Sequence, residues 1–326
     1  MKKQKIFALL LACVLILLGV VACDSGKKPD PSDPADTGKA PEGGVKIGFV
    51  TCNMNDTFQT YIADAAEAKA KEYGFTMEVQ DAQEDVIRQQ DQVNTLIQSD
   101  VDYLIVVPVD TSAMEPISKA ATDAGIPLIY VNRNPFGEDD PPENIYYIGS
   151  KEIEGGRFQG EELIRQMGEE GGVCILMGIL SNEGAIKRTE GNKEIFAQYP
   201  GIEILAEETG NWQFDQGMNV TENWITAYGD KLNAIVSNND NMAIGAIRAL
   251  EEAGREDVLV IGLDAIPEAV DLVESGKLAA TVLQDANGQG AGSIDLVQKL
   301  VKGDKLDPVT WIDFVLITKD NVADYK

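Results

Sequence analysis

The chain of 326 residues contains no histidine. Without that side chain the Ser-His-Asp and Cys-His arrangements of nucleophilic enzymes cannot be built, and nearly all zinc sites of the usual kind are excluded. Basic residues are also scarce, with 27 Lys and Arg against 54 Asp and Glu and a formal net charge of −27. Because a phosphate backbone requires clustered positive charge, this balance excludes nucleic acid as a partner.

Cysteine is the next scarce residue, with four in the whole chain. Cys13 lies inside an apolar N-terminal run and Cys23 follows it, which leaves Cys52 and Cys174 for the body of the protein. Both lie in or beside apolar, strand-like runs, where buried thiols are the expected state. The sequence leaves a disulfide between these two cysteines open.

The first 22 residues have the composition of a secretory signal peptide. Lys2, Lys3 and Lys5 precede an apolar run from residue 6 to residue 21, which is shorter than the roughly 20 residues that a membrane-spanning helix needs. The end of this segment, Val-Val-Ala-Cys over 20–23, resembles a bacterial lipobox, which implies lipidation of Cys23 and an extracytoplasmic protein held at the cell membrane by that anchor only. A transmembrane anchor, and an ordinary signal peptide with a chance cysteine, are the alternatives.

Residues 23–44 predict a flexible linker behind the anchor. The stretch from Asp24 to Gly44 has no large apolar residue, so it cannot bury enough surface to offset its ordering entropy. As a coil it would span about 25 Å. A folded body on such a linker could reach a membrane partner while staying tethered.

From Val45 onward, β-rich apolar runs alternate with segments of helical spacing, as in Val45–Thr51 followed by 58–73 and in 103–107 followed by 114–124. This alternation predicts an α/β fold with two doubly wound lobes built on parallel sheets. In the second lobe we expect, among others, a helix over 265–275 between strands over 259–262 and 280–283. Ligands of open parallel sheets bind beyond the carboxyl ends of the strands.

Polar planar or aromatic residues stand at many of these strand ends. Carboxylates, amides and guanidinium groups can each make two hydrogen bonds in one plane, which suits the vicinal hydroxyls of a sugar, and aromatic faces can cover its C–H faces. For any single Asp or Asn, a helix-capping or loop role is the competing interpretation. The candidates are Asp56, Phe58, Asn132, Arg133, Arg188, Trp212, Asn239, Asp264 and Gln284.

Four stretches resemble a known family. They are Ile235-Val-Ser-Asn-Asn-Asp-Asn-Met-Ala-Ile-Gly-Ala, Val260-Ile-Gly-Leu-Asp-Ala-Ile-Pro-Glu-Ala, Ser275-Gly-Lys-Leu-Ala-Ala-Thr-Val-Leu-Gln-Asp-Ala-Asn and Asn144-Ile-Tyr-Tyr-Ile-Gly-Ser. With them the body, from Val45 to Tyr325, resembles the type I periplasmic sugar-binding proteins, in particular the galactose/glucose-binding branch, with features of the ribose-binding branch. The resemblance implies no catalytic activity, no cofactor, a monomer, and a monosaccharide ligand, with glucose or galactose first.

The resemblance also implies roles for the candidate residues. Phe58 and Trp212 would stack on the sugar ring, and the other seven candidates would bind its hydroxyls. Three crossovers, near 149–150, 285–286 and 311–314, would act as a hinge between an N-terminal lobe of 45–149 plus 286–312 and a C-terminal lobe of 150–285 plus 313–326. The chain departs from the galactose/glucose pattern at Asn182 and Gly184, where that branch has histidine and aspartate, and it lacks that branch's calcium loop, so we expect no bound metal.

Three functions follow from this interpretation. The first is a lipid-anchored protein that delivers a hexose or pentose to the transmembrane subunits of an ABC permease. The second is a sugar-binding module that reports to a chemoreceptor or sensor kinase. The third is a surface glycoside-processing enzyme, for which Asp56 and Asp264 could supply the pair of carboxylates.

Overall fold

The computed structural model describes residues 44–326. The predicted signal peptide, Cys23 and the predicted linker up to residue 43 lie outside the described residues. Within the described part of the chain, no helix is long and apolar enough to cross a membrane.

A six-stranded sheet organises the first lobe. Its strands are β1 (Lys46–Thr51), β2 (Thr76–Asp81), β3 (Tyr103–Val106), β4 (Leu128–Val131), β5 (Ile145–Gly149) and β11 (Val309–Trp311). They pair in the order β11-β5-β4-β3-β1-β2, and every pair is parallel. The central strands β3 and β4 are apolar along their whole length because helices cover both faces of the sheet.

Four helices pack on this sheet: α1 (Thr57–Tyr73), α2 (Val86–Gln98), α3 (Glu115–Ala124) and α9 (Ala286–Val301). Helix α1 begins at its N-cap Asp56 and ends at Gly74, whose φ of 73° favours glycine. Helix α9 comes from much later in the chain, yet Ile294 and Val297 belong to the same apolar core as Ile62 of α1. The first lobe is therefore built from two separated parts of the sequence.

The second lobe repeats the alternation around a four-stranded parallel sheet. Its elements are α4 (Glu152–Met167), β6 (Glu170–Met177), α5 (Glu183–Phe196), β7 (Gly201–Thr209), α6 (Phe214–Tyr228), β8 (Leu232–Ser237), α7 (Asp240–Ala253), β9 (Leu259–Ile261), α8 (Pro267–Ser275), β10 (Thr281–Leu283) and β12 (Val315–Ile317). The sheet order is β7-β6-β8-β9, and β10 pairs antiparallel with β12. Single parallel bridges, such as Ile261 with Ala280, join β9 to the segment of β10.

The chain passes between the lobes three times: after β5, after β10 and after β11. Two parallel-sheet α/β lobes with three crossovers confirm the predicted fold class. The helix predicted over 265–275 starts later, at Pro267. Asp264 and Ala265 have positive φ values of 132° and 58°, which no helix can include, and the proline then opens α8.

The two remaining thiols take no part in pairing. Cys52 directly follows β1 and Cys174 lies in β6. Both side chains are buried, and neither forms a disulfide. Burial raises the pKa of each thiol to about 12. They therefore behave as small apolar side chains of two separate cores.

Candidate functional site

A cavity lies where the carboxyl ends of the two sheets face each other. The structure brings all nine candidate residues of the sequence analysis to its walls. Four further residues complete the lining: Gln59, Glu152, Asn182 and Gly184.

Three helices begin at the cavity wall, and their N-caps line it. Asp56 Oδ1 accepts from the backbone N–H of Phe58 at 2.9 Å, Asn182 Oδ1 from Gly184 at 3.0 Å, and Asn239 Oδ1 from Met242 at 3.0 Å. Each cap uses one side-chain oxygen and leaves the rest of the group for other partners. The capping interpretation of Asp56 and Asn239 is correct, and it does not compete with a place in the cavity wall.

Arg188 is the centre of a buried ionic cluster on the second lobe. Its Nε donates to Glu152 Oε2 at 2.6 Å, its Nη1 to the carbonyl of Asn238 at 2.6 Å, and its Nη2 to Gln284 Oε1 at 3.0 Å. Gln284 Nε2 in turn donates to Glu152 Oε1 at 2.7 Å. Glu152 follows the first crossover and Gln284 precedes the second. The hydrogen bonds of this cluster therefore connect the cavity wall to two of the three hinge segments.

An amide row forms the opposite wall on the first lobe. Gln59 Nε2 donates to Asn132 Oδ1 at 3.1 Å, and Asn132 Nδ2 donates to Gln289 Oε1 at 3.1 Å. Asn132 follows β4 with a φ of 69°, which turns its side chain back into the row. Beside it, Arg133 Nη1 donates to the carbonyls of Pro108 and Val109 at 2.9 and 3.1 Å. Much of the polar capacity of Asn132 is thus already used by the protein.

Two aromatic side chains contribute apolar surface from opposite lobes. Phe58 is buried in the first turn of α1. Trp212, with a φ of 67°, lies against Gly178, where an added Cβ would come within 2.1 Å of the indole. The Arg188 guanidinium lies 5.6 Å from the centre of the Trp212 ring, within cation–π range.

Asp264 is held in the cavity wall by a strained turn. Its backbone N–H donates to Val282 at 2.9 Å, while Ile266 N–H donates to Asp240 Oδ2 at 3.1 Å. Thr281 Oγ1 donates to Asp240 Oδ1 at 2.8 Å and accepts from Ala265 N–H at 3.3 Å. The fully buried Asp240 and its partner Thr281 therefore stabilise the positive φ angles that direct Asp264.

Several charged side chains line the cavity. Its walls carry three carboxylates, Asp56, Glu152 and Asp264, and two guanidinium groups, Arg133 and Arg188. Burial raises the pKa of Asp264 well above its ordinary value, although Arg188 Nη1 lies 3.8 Å from Asp264 Oδ1 and opposes the shift. Burial likewise raises the pKa of Asp56, opposed by Arg133. A ligand that donates hydrogen bonds to Asp56 and Asp264 would therefore stabilise the charged form of each carboxyl group.

A model of the periplasmic binding protein domain matches residues 47–305. The chain belongs to the periplasmic binding protein family. It is similar to a putative rhizopine-binding protein of Rhizobium meliloti, with 41% identity over 86% of this chain and 92% of the relative. It is 33% identical to a xylitol-binding protein of Mycolicibacterium smegmatis, over 94% of this chain and 83% of that one. Among solved structures, an ABC transporter solute binding protein of Bacillus halodurans with bound myo-inositol aligns with a TM-score of 0.82 and 38% identity, covering 88% of this chain and 99% of that one.

Two lining residues of this periplasmic binding protein, Glu152 and Gln59, are not among the nine candidates predicted from the sequence. Glu152 lies three residues beyond the end of β5, so the strand-end rule could have found it if applied past the crossover. Gln59 directly follows the candidate Phe58, and this position is the only feature of the sequence that indicates Gln59 as a lining residue. Asn182 and Gly184 also line the cavity; the sequence marks them as departures from the galactose/glucose pattern and predicts no role for them. Across residues 44–326, the acidic and thiol side chains form no group of three or more arranged to hold a metal ion.

Proposed function

We propose that this protein binds a neutral cyclic polyol, a monosaccharide or a cyclitol, between its lobes and presents it to an ABC importer. The observation that carries the proposal is the convergence of planar polar groups and two aromatic rings, predicted at separate strand ends, on one cavity. The three carboxylates of the cavity wall outnumber its two guanidinium groups, which argues against a phosphorylated or carboxylate ligand.

The polar wall groups have complementary roles toward hydroxyls. The Asp264 carboxylate lines the cavity with Arg188 Nη1 at 3.8 Å from its Oδ1, and its oxygens can accept from ligand hydroxyls. Arg133 and Arg188 offer donors to hydroxyl oxygens, and Asp56 Oδ2 is not used in the cap of α1. Since each hydroxyl both donates and accepts, alternating carboxylates and guanidinium groups can satisfy a ring of them.

The identity of the ring is the finer question. Sequence motifs predict glucose or galactose, whereas the relatives carry the names rhizopine and xylitol and the Bacillus halodurans protein holds myo-inositol. We therefore place a six-membered, fully hydroxylated ring first, with myo-inositol tested beside the two hexoses. Isothermal titration calorimetry of the protein lacking residues 1–43 against myo-inositol, D-glucose, D-galactose, D-ribose and xylitol tests the proposal. Micromolar or tighter binding to at least one of the four sugars and cyclitols supports it. No heat with any of these four, or binding of the acyclic xylitol alone, overturns it.

Partner and location are proposed on the same basis. As in the family, the protein would act outside the cytoplasm as a monomer, anchored through Cys23, and would contact permease subunits when its lobes are closed. Reconstituted permease in liposomes tests this: its ATPase rate should rise with the loaded protein and not with the ligand-free protein.

Palmitate labelling of the full chain should be lost in Cys23→Ser. Stimulation of a neighbouring sensor kinase instead of the permease would favour the signalling alternative, and release of sugar from glycosides would favour the enzyme.

A further inference from the structure

One aromatic side chain outside the cavity connects the apolar cores of the two lobes. Tyr61 lies in α1, three positions after Phe58, and is partly buried. It packs against the first-lobe core that contains Ile62 and also against the second-lobe core that contains Val270. Among the partly buried apolar side chains of residues 44–326, no other packs against a core in each lobe. Tyr61 is therefore an apolar contact between the lobes.

The surface opposite Tyr61 belongs to the second lobe. Phe58 and Tyr61 line one side of a gap between the lobes. Ile266 and Pro267 at the start of α8, and Leu283 at the end of β10, line the other side. Because these apolar faces come from different lobes, opening the cleft would draw them apart and expose them to water, which costs free energy.

Tyr61 is separated from the ligand cavity by other side chains. In the described part of the chain, it is absent from the lining of that cavity. Phe58, Asp264 and Gln284 line both the cavity and the gap beside Tyr61, so they lie between Tyr61 and a bound polyol. The contact that Tyr61 makes is therefore with protein alone, and it is the same whichever polyol is bound.

We infer that Tyr61 is an affinity-determining residue that acts without touching the ligand, by stabilising the arrangement in which the two lobes are in contact. Its effect on binding rests on the proposed function. A polyol held by both lobes binds in proportion to the fraction of molecules in that arrangement. Removing the Tyr61 ring should lower that fraction, and with it the affinity for every ligand, by one common factor of roughly 5 to 30.

Calorimetry of Tyr61→Ala with each ligand that wild type binds tests the common factor. The affinities for all of these ligands should fall by the same ratio. In stopped-flow measurements the dissociation rate should rise by that ratio while the association rate stays the same, because the ligand enters between separated lobes. Unchanged affinities, or a loss confined to some of the ligands, overturn the inference.

Tyr73→Ala is the matched control on the same helix. Tyr73 is also partly buried, but it packs against the first-lobe core only, and its hydroxyl donates to Asp295 Oδ1 at 2.6 Å. This variant should lower the melting temperature and leave the affinities unchanged. If Tyr73→Ala and Tyr61→Ala weaken binding equally, the loss comes from a destabilised α1 and not from a contact between the lobes, and the inference is wrong.

A spin label measures the arrangement of the lobes without any ligand. Ile179 of the second lobe lines the mouth of the cleft together with Asn55 and Thr57 of the first, and the adjacent Leu180 is 57% exposed. In the protein lacking residues 1–43, the two remaining native thiols are buried, so a label attaches at Leu180→Cys. It should broaden the amide NMR signals of Asn55 and Thr57, and Tyr61→Ala should reduce this broadening.

The spin-label experiment separates the two proposals. Equal broadening in wild type and Tyr61→Ala overturns the inference about Tyr61 even if polyols bind. A wild type that binds none of the cyclic ligands contradicts the proposed function, while reduced broadening in Tyr61→Ala would still support the contact between the lobes.

Discussion

Arg188 and Glu152 form a salt bridge of 2.6 Å in which both side chains are at most 6% exposed. Removing one partner of a buried pair leaves the other charge without compensation, at a cost of about 3–5 kcal/mol. We therefore expect Glu152→Ala to lower the free energy of unfolding by that amount in urea denaturation. The matched control is Glu194→Ala, whose partner Arg157 is half exposed, and which should lose less than about 1 kcal/mol. If the two variants lost equal amounts of unfolding free energy, the buried pair of Glu152 with Arg188 would not stabilise the protein more than an exposed pair does.

Asp264→Asn should separate stability from binding. The raised pKa of this carboxyl means that burial of its charge destabilises the ligand-free protein at neutral pH. The variant should therefore melt at or above the wild-type temperature, while polyol affinity falls roughly 10- to 150-fold because charge-assisted hydrogen bonds are lost. Calorimetry and thermal unfolding of one preparation measure both effects. Asp64→Asn, on the exposed face of α1, is the control and should change neither.

Much of this site could be predicted because strand ends are visible in the sequence. Apolar runs mark each strand, and the loop that follows, which carries Asp56, Asn239 or Asp264, lies at the carboxyl edge of the sheet. For Asp56 and Asn239, the helix-cap and cavity roles coincide in the structure. A parallel α/β fold places helix N-termini and strand ends at the same edge, so one polar residue can meet both needs.

What could not be predicted is how side chains share their partners. Asn132 lies in the cavity wall as expected, yet it gives its oxygen to Gln59 and a donor to Gln289, a residue 157 positions later. Glu152 does lie near the end of β5, but its partners Arg188 and Gln284 come from segments 36 and 132 positions away. Such pairings depend on tertiary contacts between distant segments, and no local pattern encodes them.

Acidification should stabilise the ligand-free protein. Burial raises the pKa of Asp240 from 3.8 to about 7 and that of Glu183 from 4.5 to about 8. Between the ordinary and the raised values the folded state binds more protons than the unfolded state, so the free energy of unfolding falls as the pH rises. Melting temperatures should accordingly decrease by several degrees from pH 5 to pH 8. A melting temperature that increases over this range would contradict the prediction.

Glu183→Gln isolates one of these groups, because repulsion among the excess carboxylates of the chain also grows with pH. Glu183 Oε2 is buried without a partner, and the adjacent Glu152 charge adds to the raised pKa. The variant should melt above wild type at pH 8 and close to it at pH 5. Glu190→Gln, exposed on the same helix α5, should leave the slope unchanged.

Trp212 offers an optical test of where the ligand binds. The chain has three tryptophans, of which Trp224 is 1% exposed with Nε1 donating to Glu208 at 2.7 Å, and Trp311 is 43% exposed against Tyr147. Only Trp212 lines the cavity, and its Nε1 is buried without a partner. Binding of a polyol from the calorimetric panel should therefore shift the indole emission, since it changes the surroundings of that ring and the distance to Arg188.

Trp212→Phe should abolish most of this emission change while retaining an aromatic face, so that affinity falls only roughly 2- to 10-fold. Trp311→Phe should keep the emission change and the affinity of wild type. If instead the change persists in Trp212→Phe and vanishes in Trp311→Phe, the emission reports movement at the third crossover, and Trp212 is not in contact with the polyol. Because binding is measured independently by heat, loss of the optical signal cannot be mistaken for loss of binding.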